Sequence, residues 1–351
     1  MTRCAVCLLI LASVPANAQV NVTELKSGVN ASFRGLSTVS DKVAWVTGSN
    51  ATVIRTKDGG KTWEPIKVPF EPTKDKSGKP VLLDFRDVEV LPDGSVVLMS
   101  IGNGATSRLY RSTDDGATWK VVLQNTDERG FFDGITFSHD GKRGVLYGDP
   151  IGGRMDLYLT NDAGQSWQRV PEENRPRLVE GEYGFAASGS GAAIIGDNIW
   201  IGTGGAVCQM HHSKDGGRSW SATKVPVRSG NPSSGIFSIA FVDRKSAVAI
   251  GGDYLKPNEA ARNVSFTTDG GATWQLFDGT KMPHKACIQS VGDGRFIACG
   301  RTGIAFSADA GRKWMQLSDA SYYVLDYDLR SKQGFMAGRD GRVAKFTILS
   351  R

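Results

Sequence analysis

Arginines, tyrosines and acidic residues recur at matching places along this chain. Arg34, Arg86 and Asp133 each follow a phenylalanine, in Phe33-Arg-Gly-Leu, Phe85-Arg-Asp-Val and Phe132-Asp-Gly-Ile. Asp149, Asp253, Arg301 and Arg339 follow apolar runs that end in glycine, and Glu182, Tyr183, Tyr322 and Tyr323 lie close to such positions. Arg34 and Arg86, with Arg301 or Arg339, could clamp a carboxylate through charge-assisted bonds. Tyr322 or Tyr323 beside an acid could act as a nucleophile, and a further carboxyl as general acid, with Glu182 and Asp149 supplying the acids. Those are the parts of a glycoside hydrolase for an acidic sugar. Without bond cleavage, the same groups form a mixed-charge cup that binds a carboxylate-bearing protein or peptide. No complete catalytic signature occurs, so binding without catalysis is the reading taken here, with the hydrolase as the alternative.

One further cluster invites a metal. In Cys208-Gln-Met-His-His212, a strand would put Cys208 and His212 on one face and His211 on the other. The chain has only four histidines, and the sequence reading is a structural strand with no metal or other cofactor.

The elements that must position these groups come from a repeat. The phrase Ser/Thr-x-Asp-x-Gly-x-(Thr/Ser)-Trp occurs six times, with Lys313 in the seventh position of the last copy. Its aspartates and tryptophans are Asp58 and Trp63, Asp114 and Trp119, Asp162 and Trp167, Asp215 and Trp220, Asp269 and Trp274, and Asp309 and Trp314. The tryptophans are 56, 48, 53, 54 and 40 residues apart, a spacing that marks stacked units unable to bury their apolar faces alone. Each copy sits between β-rich runs, so it reads as a turn: the carboxylate accepts backbone N–H groups, the glycine permits a positive φ, and the tryptophan opens the next strand. Six identical turns cannot all be active sites. They are structural.

Seven apolar runs ending in glycine, from Ala44–Gly48 to Gly334–Gly338, precede the turns. Upstream of each run lies a further phrase, which in the fourth unit is Phe185-Ala-Ala-Ser. Four strands per unit at this period predict an all-β, seven-bladed propeller of four-stranded antiparallel blades. The seventh unit, ending at Val343–Leu349, has no fourth strand, and Val20–Lys26 has no blade. The N-terminal strand is therefore expected to close the ring and remove its exposed edges.

Met1–Ala18 reads as a signal peptide, with Arg3, an apolar stretch and Ala16-Asn-Ala18 before Gln19. This predicts a signal over 1–18 and one propeller over 19–351, exported to the periplasm or beyond, without a transmembrane anchor and monomeric. The net charge of +6 over 351 residues, with no long basic run, argues against a nucleic-acid partner. Cys287 and Cys299 flank a predicted hairpin turn at Gly292-Asp-Gly294 and could face each other, either as a disulfide or as buried thiols.

The repeated phrase resembles the Asp-box (bacterial neuraminidase) repeat superfamily. Ser32–Leu36, Ala44–Asn50 and Arg55–Trp63 together resemble photosystem II stability/assembly factor-like propellers. That resemblance covers the chain from Gln19 and implies an exported propeller. The superfamily also holds sialidases, in which the first arginine begins Arg-Ile-Pro, whereas Arg34 is followed by Gly35-Leu36. The turn phrase joins strands three and four and so lies on one rim. The candidate residues, and the insertions at Phe70–Pro80, Pro171–Glu182 and Asp253–Arg262, fall on the opposite rim, which is expected to be the working face.

Overall fold

The computed structural model describes residues 20–74, 77–277 and 279–349, so the expected signal segment lies outside the described residues. Seven four-stranded antiparallel blades close into a ring with almost no helix. The innermost strands are Phe33–Thr38, Asp84–Val90, Phe132–Phe137, Ala192–Ile195, Ser234–Phe241, Cys287–Ser290 and Val324–Asp328. The seven glycine-ended runs are the second strands, as expected.

Closure follows the sequence expectation. Val20–Lys26 pairs antiparallel with Arg342–Ile348, from Val20 opposite Ile348 to Lys26 opposite Arg342. The first and last segments thus share one blade, and the Ser27 hydroxyl adds a 2.6 Å bond to the Gly341 carbonyl.

Between blades the core is apolar. Phe33, Val46 and Ile54 of the first blade pack with Phe335, Met336 and Phe346 of the last. Nearer the channel, the innermost strands have backbone N–H groups with no strand beyond them, and such groups need partners. Side chains of the preceding blade supply these. Val90 N–H donates to Ser37 Oγ (3.1 Å), Ile135 N–H to Asp87 Oδ2 (3.0 Å), Ile288 N–H to Ser238 Oγ (3.0 Å) and Thr38 N–H to Asp326 Oδ2 (2.6 Å).

The repeated turns have one geometry. In the first, Asp58 Oδ1 accepts the Thr62 N–H (2.9 Å) and Oδ2 the Thr62 hydroxyl (2.6 Å), while Gly60 N–H donates to Thr56 Oγ1 (2.8 Å). Bonds from Thr62, Thr118 and Thr273 hold Asp58, Asp114 and Asp269 down to about 2. The fifth residue is glycine for two reasons. Gly116 has φ +83°, and a Cβ there would sit 2.8 Å from Trp45 of the previous blade. The turn is thus also a blade-to-blade joint. Trp119 meets Trp45 edge-on at 6.4 Å, and Trp63 meets Phe335 of the last blade at 6.0 Å.

One strand differs from expectation. The innermost strand of the fourth blade is Ala192–Ile195, not Phe185–Ser188. Gly184 precedes Phe185, and Gly189 and Gly191 break the run after it, with Gly189 at φ +72° lying against the Asp87 carboxylate. Apolar spacing resumes only at Ala192. Upstream, Glu182–Tyr183 pairs with Gly204–Gly205, which joins the sheet of the fifth blade.

Candidate functional site

Four innermost strands carry an extra residue at the same place. The pairing register shifts between Phe33 and Gly35, Phe85 and Asp87, Phe132 and Gly134, and Ile236 and Ser238. The bulged residues are Arg34, Arg86, Asp133 and Phe237. A bulge unpairs one residue and re-aims its side chain. Because the bulge repeats with the blade, it brings Arg34, Arg86 and Phe237 to one place near the channel, while Asp133 is buried outside it.

A cavity of about 350 Å³ opens there, lined by Arg34, Arg86, Arg301 and Tyr323 together with Phe185, Phe237, Tyr254 and His284. The Arg34 guanidinium stacks 3.9 Å above the Tyr323 ring, and its Nε has no hydrogen-bond partner. Arg86 donates to the Ala186 carbonyl (2.8 Å) and pairs with Asp84 (3.0 Å). Arg301 reaches the Tyr254 carbonyl at 3.4 Å. Among the described residues, Asp84 is the only carboxylate in an ion pair with any of the three arginines. Burial first, and then the charge of Arg86, bring Arg34 down to about 10. Three cations thus line one cavity with one paired carboxylate among the described residues. The half-empty donor sets of Arg34 and Arg301 are suited to a carboxylate.

A hollow of about 370 Å³ beside the fourth blade's turn is lined by Arg143, Asp197 and Asp215. Apart from Arg218, its charged groups are engaged with each other or with the turn. Arg143 pairs with Asp197 at 2.7 Å, and Asp215 accepts the Ser219 N–H (2.9 Å) and hydroxyl (2.5 Å).

Other residues singled out from sequence lie elsewhere. Glu182 is fully buried and accepts four bonds, from the Val179 N–H, Thr203 hydroxyl, Gln209 amide and His211 Nε2 (2.6–3.0 Å). Burial raises its pKa, but the bonds from His211 and Thr203 outweigh that and lower it overall. Glu182 ties the 179–182 segment to the fourth blade and does not face the cup. Tyr322 is also fully buried, with its hydroxyl unpartnered and its pKa pushed up to about 12 by burial and then by Glu24. It belongs to the core, and a raised pKa is the reverse of what a nucleophile needs. Arg339 is exposed, bonded to Asp340 (2.8 Å), and not part of the cavity lining. Tyr183 donates to the Pro232 carbonyl (2.5 Å) and meets Phe185 edge-on, which places it behind the aromatic wall. Asp253 accepts the Ser233 hydroxyl (2.6 Å) and Leu255 N–H (2.9 Å), so it fixes the insertion that presents Tyr254. Asp133 and Asp149 interact as a pair outside the cavity lining. Burial, and then Asp149, keep Asp133 well above the usual carboxylate range, and burial raises Asp149 to about 6.

The Cys208–His212 segment directs each group to a different partner: Cys208 to the Thr203 carbonyl, His211 to Glu182, and His212 to Asn198. Among the described residues, no group of three His, Cys, Asp or Glu is placed to hold a metal. Cys287 and Cys299 stand directly opposite each other as buried free thiols. No helix among the described residues is long and apolar enough to cross a membrane.

Phe237, Tyr254 and His284 were not singled out from sequence. Phe237 occupies the bulge position of its blade, where Arg34 and Arg86 gave the available signal. Tyr254 follows Asp253 in a recognised insertion. His284 lies just before the inner strand Cys287–Ser290, whose lead-in, Lys285-Ala-Cys-Ile, lacks the aromatic of the other phrases.

Comparison with known proteins agrees with this architecture. Residues 107–229 match the family model described as sortilin, neurotensin receptor 3. The photosystem II assembly protein Ycf48 of Thermosynechococcus vestitus is 23% identical over 294 residues, covering 72% of this chain and 74% of that protein. The chloroplastic photosystem II stability/assembly factor HCF136 of Arabidopsis thaliana is 24% identical over 348 residues, covering 81% and 79%. The solved structure described as YCF48 bound to D1 peptide superimposes with a TM-score of 0.61 at 17% identity, over 94% of this chain and 97% of that one. This chain is therefore a seven-bladed propeller similar, over most of its length, to photosystem II assembly factor-like proteins.

Proposed function

We propose that this chain is an exported, non-catalytic propeller that captures a carboxylate-bearing segment of a partner protein or peptide, in the manner of an assembly or stability factor. The binding face is the rim opposite the repeated turns, which are structural devices of the Asp-box type. The observation that carries the reading is the convergence of Arg34, Arg86 and Arg301 on one cavity with a single paired carboxylate, Asp84. The solved relative that holds a peptide gives the same class of ligand for a similar propeller. Two of the residues that a hydrolase would use, Glu182 and Tyr322, are buried away from the cavity.

The test is capture from the exported fraction of the native cell, followed by mass spectrometry, with the parent chain and an Arg34→Ala, Arg86→Ala variant. A partner retained by the parent and lost by a folded variant supports the reading. Turnover of an aryl sialoside by the purified chain, abolished by Tyr323→Phe, contradicts it. The export step is tested by fractionation, since replacing Ala16 and Ala18 with bulky residues should leave an unprocessed precursor.

A further inference from the structure

One wall of the arginine cavity has no part in holding an anion. Phe185 and Phe237 stack with ring centroids 4.1 Å apart and 18° between planes. Tyr254 and His284 meet Phe237 edge-on at 6.1 and 4.6 Å. His284 is 2% exposed, yet neither Nδ1 nor Nε2 has a hydrogen-bond partner. Burial first, and then Lys285 and Arg301, lower its pKa to about 4. The ring is therefore neutral at pH 7 and offers one donor and one acceptor, both unused. Buried polar atoms in native chains are nearly always paired, so two orphans on one ring that lines a cavity call for a ligand.

The wall is also built at a cost in regular structure. Phe185 stands on the irregular segment that precedes the innermost strand of the fourth blade, and Tyr254 on the insertion fixed by Asp253. A cavity of about 350 Å³ has room for one large side chain beside a carboxylate.

We propose that this wall is an apolar subsite that selects an aromatic or large branched side chain carried next to the carboxylate, with His284 bonding the backbone of that residue. This rests on the carboxylate-capture reading and names the partner chemistry more narrowly. The carboxylate is either a chain end or an acidic side chain, and the apolar neighbour is required in both cases.

Titration calorimetry on the full chain tests it with acetylated peptides. The probes are Gly-Gly-Phe and Gly-Gly-Ala with free carboxyl ends, Gly-Gly-Phe amide, and Phe-Asp-Gly amide, whose only carboxylate is a side chain. Burial of a phenyl ring predicts that the Phe acid binds at least about tenfold more tightly than the Ala acid. Phe185→Ala, on a loop and checked for an unchanged melting temperature, should erase that ratio and keep the preference for acid over amide. His284→Leu should weaken the Phe acid about fivefold. Tighter binding of Phe-Asp-Gly amide than of the Phe acid would assign the carboxylate to a side chain, with the subsite upheld. Equal binding of the Phe and Ala acids, survival of the ratio in Phe185→Ala, or no binding of any of the four peptides at millimolar concentration would overturn the subsite. Equal binding of Phe acid and amide, with the Phe-over-Ala ratio intact, would sink carboxylate capture and leave the apolar subsite standing.

Discussion

The guanidinium of Arg34 lies 3.9 Å above the ring of Tyr323, a residue of the seventh blade. This contact joins the first unit of the ring to the last at the channel mouth, beside the seam closed by the N-terminal strand. It also fixes the plane of one arginine while leaving its Nε unpaired. Arg86 and Arg301 donate to the carbonyl groups of Ala186 and Tyr254, and of the two only Arg86 also pairs with an acid, Asp84. Arg34 and Arg301 are thus positioned without an acid partner among the described residues.

The seam is a first point of attack. Deleting residues 19–27 removes the seven-residue ladder against Arg342–Ile348 and exposes an edge. The melting temperature should fall by more than about 10 °C, or the protein should aggregate, as read by calorimetry and gel filtration. A truncated chain as stable and monodisperse as the parent would contradict closure.

The repeated tryptophans should differ among themselves. Trp274 is 7% exposed, whereas Trp63 is only half-buried. Trp274→Ala should cost about 3–5 kcal/mol by denaturant unfolding, and Trp63→Ala clearly less. Asp269→Ala should destabilise the chain modestly and leave ligand binding unchanged. Retained stability with lost binding would show that the turn is not merely structural.

The rule that the blades repeat was legible from the turn phrase, and so was the phase at which Arg34 and Arg86 reach the mouth. The reason for that phase was not. A bulge inserts one residue without changing the Phe-Arg spelling, so it shows only once the strand has a partner to slip against. Phe185 was misread because an aromatic followed by two alanines fits a strand until Gly189 and Gly191 are weighed. Glu182 and Tyr322 had the right chemistry and the wrong direction. A sequence fixes neighbours along the strand, but whether a side chain faces cup or core depends on register. Two of the site's most telling groups, His284 and Phe237, come from units where the repeated phrase is degenerate or its bulged residue apolar.

Stability should decline as the medium turns neutral. Asp87 is buried, and its pKa is raised to about 7, chiefly by burial. An acid with a raised folded pKa contributes fully below its unfolded value near 4 and loses that contribution as pH rises through about 7. Unfolding free energy should therefore fall between pH 5 and pH 8. Asp87→Asn, which keeps one acceptor for the Val88 and Ile135 N–H groups, should shrink that fall. An unchanged pH profile in the variant would assign the effect elsewhere.

Tyr322→Phe tests the placement of Tyr322 in the core. The hydroxyl is buried without a partner, so its removal should leave stability equal or higher by up to about 1 kcal/mol. Binding should not change. Loss of a measured activity in this variant would return Tyr322 to the site.

The central claim is that Arg34, Arg86 and Arg301 together hold a carboxylate. The most direct measurement is calorimetric titration of the parent and the Arg34→Ala, Arg86→Ala variant with a captured partner segment, in its acid and amide-substituted forms. Charge-assisted contacts of about 1.5–3 kcal/mol each predict at least a hundredfold loss of affinity in the folded double variant. The preference for acid over amide should then shrink to what Arg301 alone supports. Undiminished affinity, or an acid preference undiminished by loss of both arginines, would contradict the account.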